Sequence, residues 1–245
     1  MSLARNVSTL VLLALLGVAA GSSCSGPAAG ERDSSMTSPP SSGEAQTVKL
    51  PLPRSEGPLS LEKAIEARRS VREFTGEPLS LDELGQLLWA AQGITSPQGA
   101  RAAPSAGGTY PLEIYVAVGR VSGLEPGAYH YQPVEHVLLP VATGDVRARL
   151  AEASLDQSWV SDAAADVVIA AVYSRTTKKY GERGVRYVHL EAGHAAQNLC
   201  LQATALGLGA VTVGAFSDGD VSTVMHLAGD EEPLYVVPVG RPATP

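Results

Sequence analysis

The chain has 245 residues, 44% of them hydrophobic, with 18 basic and 25 acidic side chains and a formal net charge of -7. That length and apolar content suffice for one well-buried domain. The acidity argues against a nucleic-acid or anionic-membrane binder, because any basic cluster must then be local and aimed at a small anion.

Residues 1–23 read as an export signal, with Arg5 as a weak positive n-region and Leu10 to Ala20 as an apolar run too short to span a bilayer. Two cleavage readings stand side by side. One cuts after Ala20; the other makes Cys24 the lipid-bearing residue of a bacterial lipoprotein, although Gly21, Ser22 and Ser23 match a lipobox only in part. The expected location is exported, either periplasmic or membrane-anchored. Residues 24–57 read as a disordered tether, rich in Ser, Gly and Pro from Ser25 to about Gln46, and residues 58–245 as the folded domain.

Within the domain, Ser60 and Ser80 sit where helix N-caps belong, and Ser80 with Glu83 forms a capping box. The second helix carries Leu81, Leu84, Leu88 and Ala91 at helical spacing and ends at Gly93, the residue best able to take a left-handed turn. Glu113 to Gly119 alternates as a strand, and Tyr129–Gln132 with His136–Leu139 suggests a hairpin. Asp145 to Leu155 reads as a surface helix. The apolar run Asp166 to Tyr173 reads as a central strand covered on both faces.

The longest helical signal runs from about Arg186 to Leu206 and ends at Gly207, with Cys200 as a small core hydrophobe inside it. A glycine-rich strand over Leu208–Gly214, a helix from Ser217 to about Leu227 and a strand over Leu234–Gly240 complete the chain; Pro238 assigns that last strand to an edge or a bulge. The fold class is α+β, a sheet flanked by helices. Strands and helices do not alternate regularly enough for Gly207 and Gly209 to be a dinucleotide fingerprint.

Three segments carry candidate chemistry. Arg68-Arg69-Ser70-Val71-Arg72 puts three arginines and a hydroxyl at a helix end, a pattern suited to forked pairing with phosphate or, more simply, to a solvated helix terminus. Arg241, after the last strand, could join the same anion. The loop Pro104 to Pro111 is built of small residues that let backbone approach a flat ring, or that form a tight connection. The run Gly207 to Phe216 opens the backbone at strand ends, for a ligand or for packing. His189 and His194 have no metal-ligand spacing and read as core or interface residues.

These segments, with Gly127–Tyr131, Lys179-Tyr180-Gly181, Arg186-Tyr187 and Glu191 to Asn198, resemble the nitroreductase superfamily over about Leu59 to Pro242. They are most similar to the SagB-type dehydrogenases, flavin enzymes that oxidise azolines to azoles in modified peptides. The resemblance implies a three-layer fold with a mixed, mainly antiparallel sheet, bound FMN, a homodimer and an active site at the subunit interface. It implies that Arg68, Ser70 and Arg241, with Arg69 beside them, surround the phosphate and that Arg72 lies near the pyrimidine edge. Ser105, Ala106 and Gly107 would border the ring from the partner subunit, and Gly214 and Ala215 would lie along its N5 side.

The same resemblance makes Lys179 and Tyr180 the proton-transfer pair, with a solvated basic turn as the simpler reading; a lysine can act as base only where its surroundings favour the neutral amine. The implied substrate is small or peptide-derived. Two other readings stand beside this one: an NAD(P)H-dependent nitro or quinone reductase, and a secreted flavin-binding protein with little turnover.

Overall fold

The computed structural model describes residues 47 to 243. The expected signal peptide, Cys24 and the tether as far as residue 46 lie outside the described residues. Among the described residues, no helix is long and apolar enough to cross a membrane.

The domain begins earlier than residue 58. Val48–Lys49 forms a short strand, β1, paired antiparallel with a later strand, and the neighbouring Leu50 is buried. A Val-Lys-Leu triplet at the foot of the tether, apolar at its first and third positions, is enough to add an edge strand once a partner strand offers its free backbone groups.

Helix α1 (Leu61–Ala67) and helix α2 (Leu81–Gln92) start at the two expected serines, and the Ser80–Glu83 box is reciprocal: Ser80 Oγ accepts from Glu83 N–H and Glu83 Oε2 accepts from Ser80 N–H. Gly93 ends α2, but in an extended conformation (φ -65°, ψ 156°), not the left-handed turn expected. The requirement for glycine is steric, because a Cβ there would collide with the Trp89 ring.

A seven-stranded sheet is the central layer, in the order β1-β4-β3-β2-β5-β7-β6. Its strands are β2 (Leu112–Val118), β3 (Gly127–Gln132), β4 (Val137–Thr143), β5 (Ala165–Ala171), β6 (Gly209–Ala210) and β7 (Glu232–Gly240), and every pairing between them is antiparallel. Parallel character is confined to isolated bridges, Ser70 with Ala210 and Leu79 with Val121. β5 is central and buried at all seven positions, as its unbroken apolar run required.

Side chains alternate between two cores. Ile114, Val116, Val167, Ile169 and Val237 face a core shared with α2 and the long helix α6 (Arg183–Ala205). Tyr115, Ala117, Val168 and Val236 face a second core with α3 (Arg147–Ala153), α4 (Ser158–Asp162) and α7 (Asp218–Met225). This is the three-layer α+β arrangement expected.

Two strand expectations need correction. β7 is not an edge strand: β6 covers its outer side, but for only two residues, and Pro238 lies at the end of that pairing, with its carbonyl accepting from Val211 N–H. The N and carbonyl of one strand residue point the same way, so the donor that proline lacks faces a place where the ladder is already ending. The strand expected over Leu208–Gly214 is likewise only Gly209–Ala210, followed by an isolated bridge from Val213 to Val236.

Candidate functional site

The arginine segment leaves α1 and runs beside β6: Ser70 bridges Ala210, Val71 N–H donates to the Ala210 carbonyl, and Thr75 N–H donates to the Arg241 carbonyl. These contacts gather Arg68, Ser70 and Arg241 at the end of the sheet where Val239 pairs with Ala165. The arginines differ in what they already hold. Arg69 donates to the Glu66 and Arg68 carbonyls at 2.7 and 2.8 Å, capping the end of α1. Arg72 lies over the Trp159 ring, 5.5 Å from its centroid. Arg241 reaches Glu83 through Nη2 alone, 2.9 Å from Oε1 and 3.0 Å from Oε2, which leaves its other nitrogens for an anion. Among the described residues, the Arg68 side chain has no hydrogen-bond or ion-pair partner; it lies near Cys200, whose thiol pKa burial raises.

Gly214 and Ala215 follow the Val213 bridge and are exposed. The Ala215 carbonyl accepts from Gln157 Nε2 at 2.9 Å, while neither residue's N–H has an acceptor among the described residues. Two outward amide donors on a fixed backbone suit an acceptor atom of a bound ring.

At the other end of the sheet, two segments far apart in sequence converge. Lys179 and Tyr180 close helix α5 (Tyr173–Tyr180), so the expected basic turn is helical. α5 grips the loop that contains Ser105, Ala106 and Gly107 at three points: Lys179 Nζ donates to the Gly107 carbonyl at 3.2 Å, Thr176 and Thr109 share a hydroxyl bond of 2.8 Å, and Arg175 donates to the Tyr110 carbonyl at 3.1 Å. Gly107 has φ +63° within a 3-10 turn over Ala106–Gly108, and a Cβ on it would meet the Tyr180 hydroxyl and, at 2.5 Å, Lys179 Nζ. The left-handed backbone favours glycine, and any larger residue would also displace the Lys179 and Tyr180 side-chain tips.

Sequence reasoning did not single out the residues that brace this cluster. Arg175 also pairs with Glu113 at 2.6 Å, and Glu113 meets His130 Nε2 at 2.9 Å. Burial would raise the Glu113 pKa, but the His130 and Arg175 hydrogen bonds outweigh it and hold it below the usual carboxylate range. Glu83 was visible only as a cap. The partner that gives it further work, Arg241, lies 158 residues away.

The arginine segment and the Gly107 cluster therefore sit toward opposite ends of the sheet, with Gly214 and Ala215 between them beside Val236, which pairs with Val168 at mid-strand. From Ala165, paired with Val239, to Ala171, paired with Glu232 and Leu112, β5 covers about 20 Å. Apolar side chains are exposed on two helices: Leu61 and Ile65 on α1 are 61% and 57% exposed and Leu190 on α6 is 54% exposed. A cavity of about 440 Å³ opens between α1, α2 and α6, lined by Leu61, Ala64, Trp89, Leu201 and Gln202.

Comparison with known proteins identifies the family to which this fold belongs. A nitroreductase homologue of Methanocaldococcus jannaschii is 47% identical over 195 residues, covering 80% of this chain and 97% of that protein. A Ralstonia eutropha nitroreductase-type crystal structure superposes with a TM-score of 0.71 at 33% identity, covering 83% of this chain and 92% of the other. The Escherichia coli microcin synthetase McbBCD complex with truncated pro-MccB17 bound contains a chain similar at TM-score 0.64 and 26% identity, covering 76% of this chain and 74% of that one. The model of the nitroreductase family matches residues 65–241, from α1 through the arginine segment and both clusters to Arg241, and the chain belongs to that family of oxidoreductases.

Proposed function

We propose that the protein is an FMN-dependent oxidoreductase of SagB-type dehydrogenase character, acting as a homodimer on a small or peptide-derived substrate. The observation that carries this reading is the convergence of the small-residue loop with Lys179 and Tyr180 at Gly107. A reductase can draw the protons that it consumes from solvent, without a basic and a phenolic group held together at the ring-facing loop. A dehydrogenase needs such groups, because a proton must leave the substrate as the hydride departs.

When bound, FMN supplies the two-electron acceptor for the hydride. Arg68 and Ser70 are the groups available to its phosphate, with Arg241 able to share its fork between that anion and Glu83. The Gly214 and Ala215 amides would donate to the ring edge. Lys179 Nζ and Tyr180 Oη are the groups placed to take the substrate proton. A second copy of the chain supports the site, since it would bring the Gly107 loop of one protomer to the arginine end of the other and cover the apolar faces of α1 and α6.

The test is the absorbance spectrum of the purified protein, before and after reconstitution with FMN. A flavin band that Arg68→Ala with Ser70→Ala removes is expected; a colourless protein that cannot be reconstituted rejects the reading. Likeness to a nitroreductase structure over 92% of its length keeps an NAD(P)H-dependent reductase as a second reading. Bleaching of the flavin band on anaerobic mixing with NADH or NADPH would select it over the dehydrogenase.

A further inference from the structure

Five of the chain's 18 basic side chains fall within residues 175–186: Arg175, Lys178, Lys179, Arg183 and Arg186, with Glu182 as the one acid among them. In a chain of formal net charge -7, this reverses the sign over the end of α5, the turn at Gly181 and the start of α6. Arg175 is already held by Glu113 and the Tyr110 carbonyl. The other four are exposed, and none has an ion-pair partner among the described residues.

Two aromatic rings order this patch. Tyr180 and Tyr187, both partly exposed, meet edge to face, with centroids 5.1 Å apart and planes at 87°. Lys179 Nζ lies 5.5 Å from the Tyr180 centroid and Arg183 Cζ lies 5.7 Å from the Tyr187 centroid, so each ring holds its own cation. The row of cation, ring, ring and cation begins at the ring-facing loop, because Lys179 also donates to the Gly107 carbonyl.

Helix stability does not account for these charges. Lys178 and Lys179 lie in the last turn of α5, where cations are favourable, but Arg183 and Arg186 lie in the opening turns of α6, where they oppose the helix dipole. Cations set against a local rule and left without partners suit a ligand that supplies the opposite charge. A compact anion is held where donors converge, whereas these cations are divided between two rings. Carboxylates spaced along an extended chain match that division, and the tyrosine rings offer contact area to its apolar atoms.

We propose that the surface of α5 and α6 around Tyr180 and Tyr187 binds an acidic peptide segment. That the segment belongs to the substrate, led past Lys179 to the loop at Gly107, rests on the flavin reading above; the peptide binding itself does not.

The experiment adds a short fluorescein-labelled peptide of alternating Glu and Ala to the full-length purified protein, with a Gln and Ala peptide for comparison. Anisotropy reads binding, and competitive acetylation of lysines with acetic anhydride, read by mass spectrometry, locates it. The acidic peptide should bind in preference to the Gln peptide. Its affinity should weaken as salt rises from about 0.1 to about 1 M and the screening length falls from about 10 to about 3 Å. It should protect Lys178 and Lys179 from acetylation while Lys49 and Lys63 react as before. Arg183→Glu with Arg186→Glu should weaken binding by about tenfold or more, and Arg183→Lys with Arg186→Lys should keep it.

Absence of binding, binding that charge reversal leaves unchanged, or equal protection of all these lysines overturns the proposal. So does equal protection of Lys178 and Lys179 by inorganic phosphate at matched charge concentration, which would mark a compact anion site. Peptide binding by a protein that cannot be reconstituted with FMN would refute the flavin reading and leave this surface standing; flavin-loaded protein that ignores the peptide would do the reverse.

Discussion

Lys179 Nζ donates to the carbonyl of Gly107 at 3.2 Å, joining residues 72 positions apart in the chain. The bond depends on a backbone that only glycine adopts readily, at φ +63°. Gly107→Ala should therefore destabilise the fold by about 1–3 kcal/mol and push Lys179 and Tyr180 out of place. Urea unfolding measures the first effect, and Lys179 acetylation rate the second. A variant with wild-type values for both would remove the steric argument.

Lys179→Met and Tyr180→Phe remove no contact of Arg68, Ser70 or Arg241. Both variants should keep flavin colour and lose turnover by roughly 10²- to 10⁴-fold, the usual contribution of a positioned acid or base. Equal loss of colour and turnover would assign the pair to structure instead.

Glu83 serves α2 and Arg241 at once: its Oε2 accepts from Ser80 N–H at 2.8 Å and from Arg241 at 3.0 Å. Glu83→Ala should lower stability by about 1–2 kcal/mol through the lost cap. It should also free Arg241, so flavin retention is expected to hold or improve at temperatures where the variant is folded. Weaker retention in fully folded Glu83→Ala would show that the ion pair presents Arg241 to the phosphate. Because Arg241 is tied to the cap, colour loss on replacing Arg68 is the cleaner test of the anion site.

Asp166 opens the central strand fully buried, with neither carboxylate oxygen hydrogen-bonded among the described residues. Burial raises its pKa well above the ordinary value, and the Arg147 charge opposes this only in part. In the unfolded chain the group ionises near pH 4, at about its ordinary value. Above that pH the unfolded state releases the proton first, so stability falls as pH rises until the folded-state pKa is passed. Asp166→Asn lacks this loss. Its melting temperature should exceed that of the wild type at pH 7, with the difference shrinking toward about pH 4; a constant difference across that range would contradict the assignment.

Leu199 of α6 is fully buried in the core shared with α2 and the sheet. Leu199→Ala should cost about 2–5 kcal/mol in denaturant unfolding, since transfer and cavity contributions add. A cost below about 1 kcal/mol would mean that the core collapses around the gap.

The sequence by itself determined the local elements: the serine caps of α1 and α2, the alternation of β2, the unbroken apolar run of β5 and the length of α6. Each depends on residues within a few positions of one another, so the signal is complete in the chain. It also displayed the residue types of the site, because arginines in an acidic chain and a run of small residues are compositional facts. Tertiary structure decided what those residues touch. Pro238 reads as an edge residue until the neighbouring strand proves to be two residues long, and Gly93 reads as a left-handed cap until the Trp89 ring fills the space beside it. Arg69 reads as a residue beside the phosphate and Arg72 as a cation at the pyrimidine edge; what each touches, the end of α1 and an indole ring, is seen only in the fold. Arg175 carries no signal in the sequence until α5 brings it to the Tyr110 carbonyl and to Glu113. Hydrogen bonds and steric exclusion act over a few ångströms, and only the fold brings residues 72 to 158 positions apart within that range.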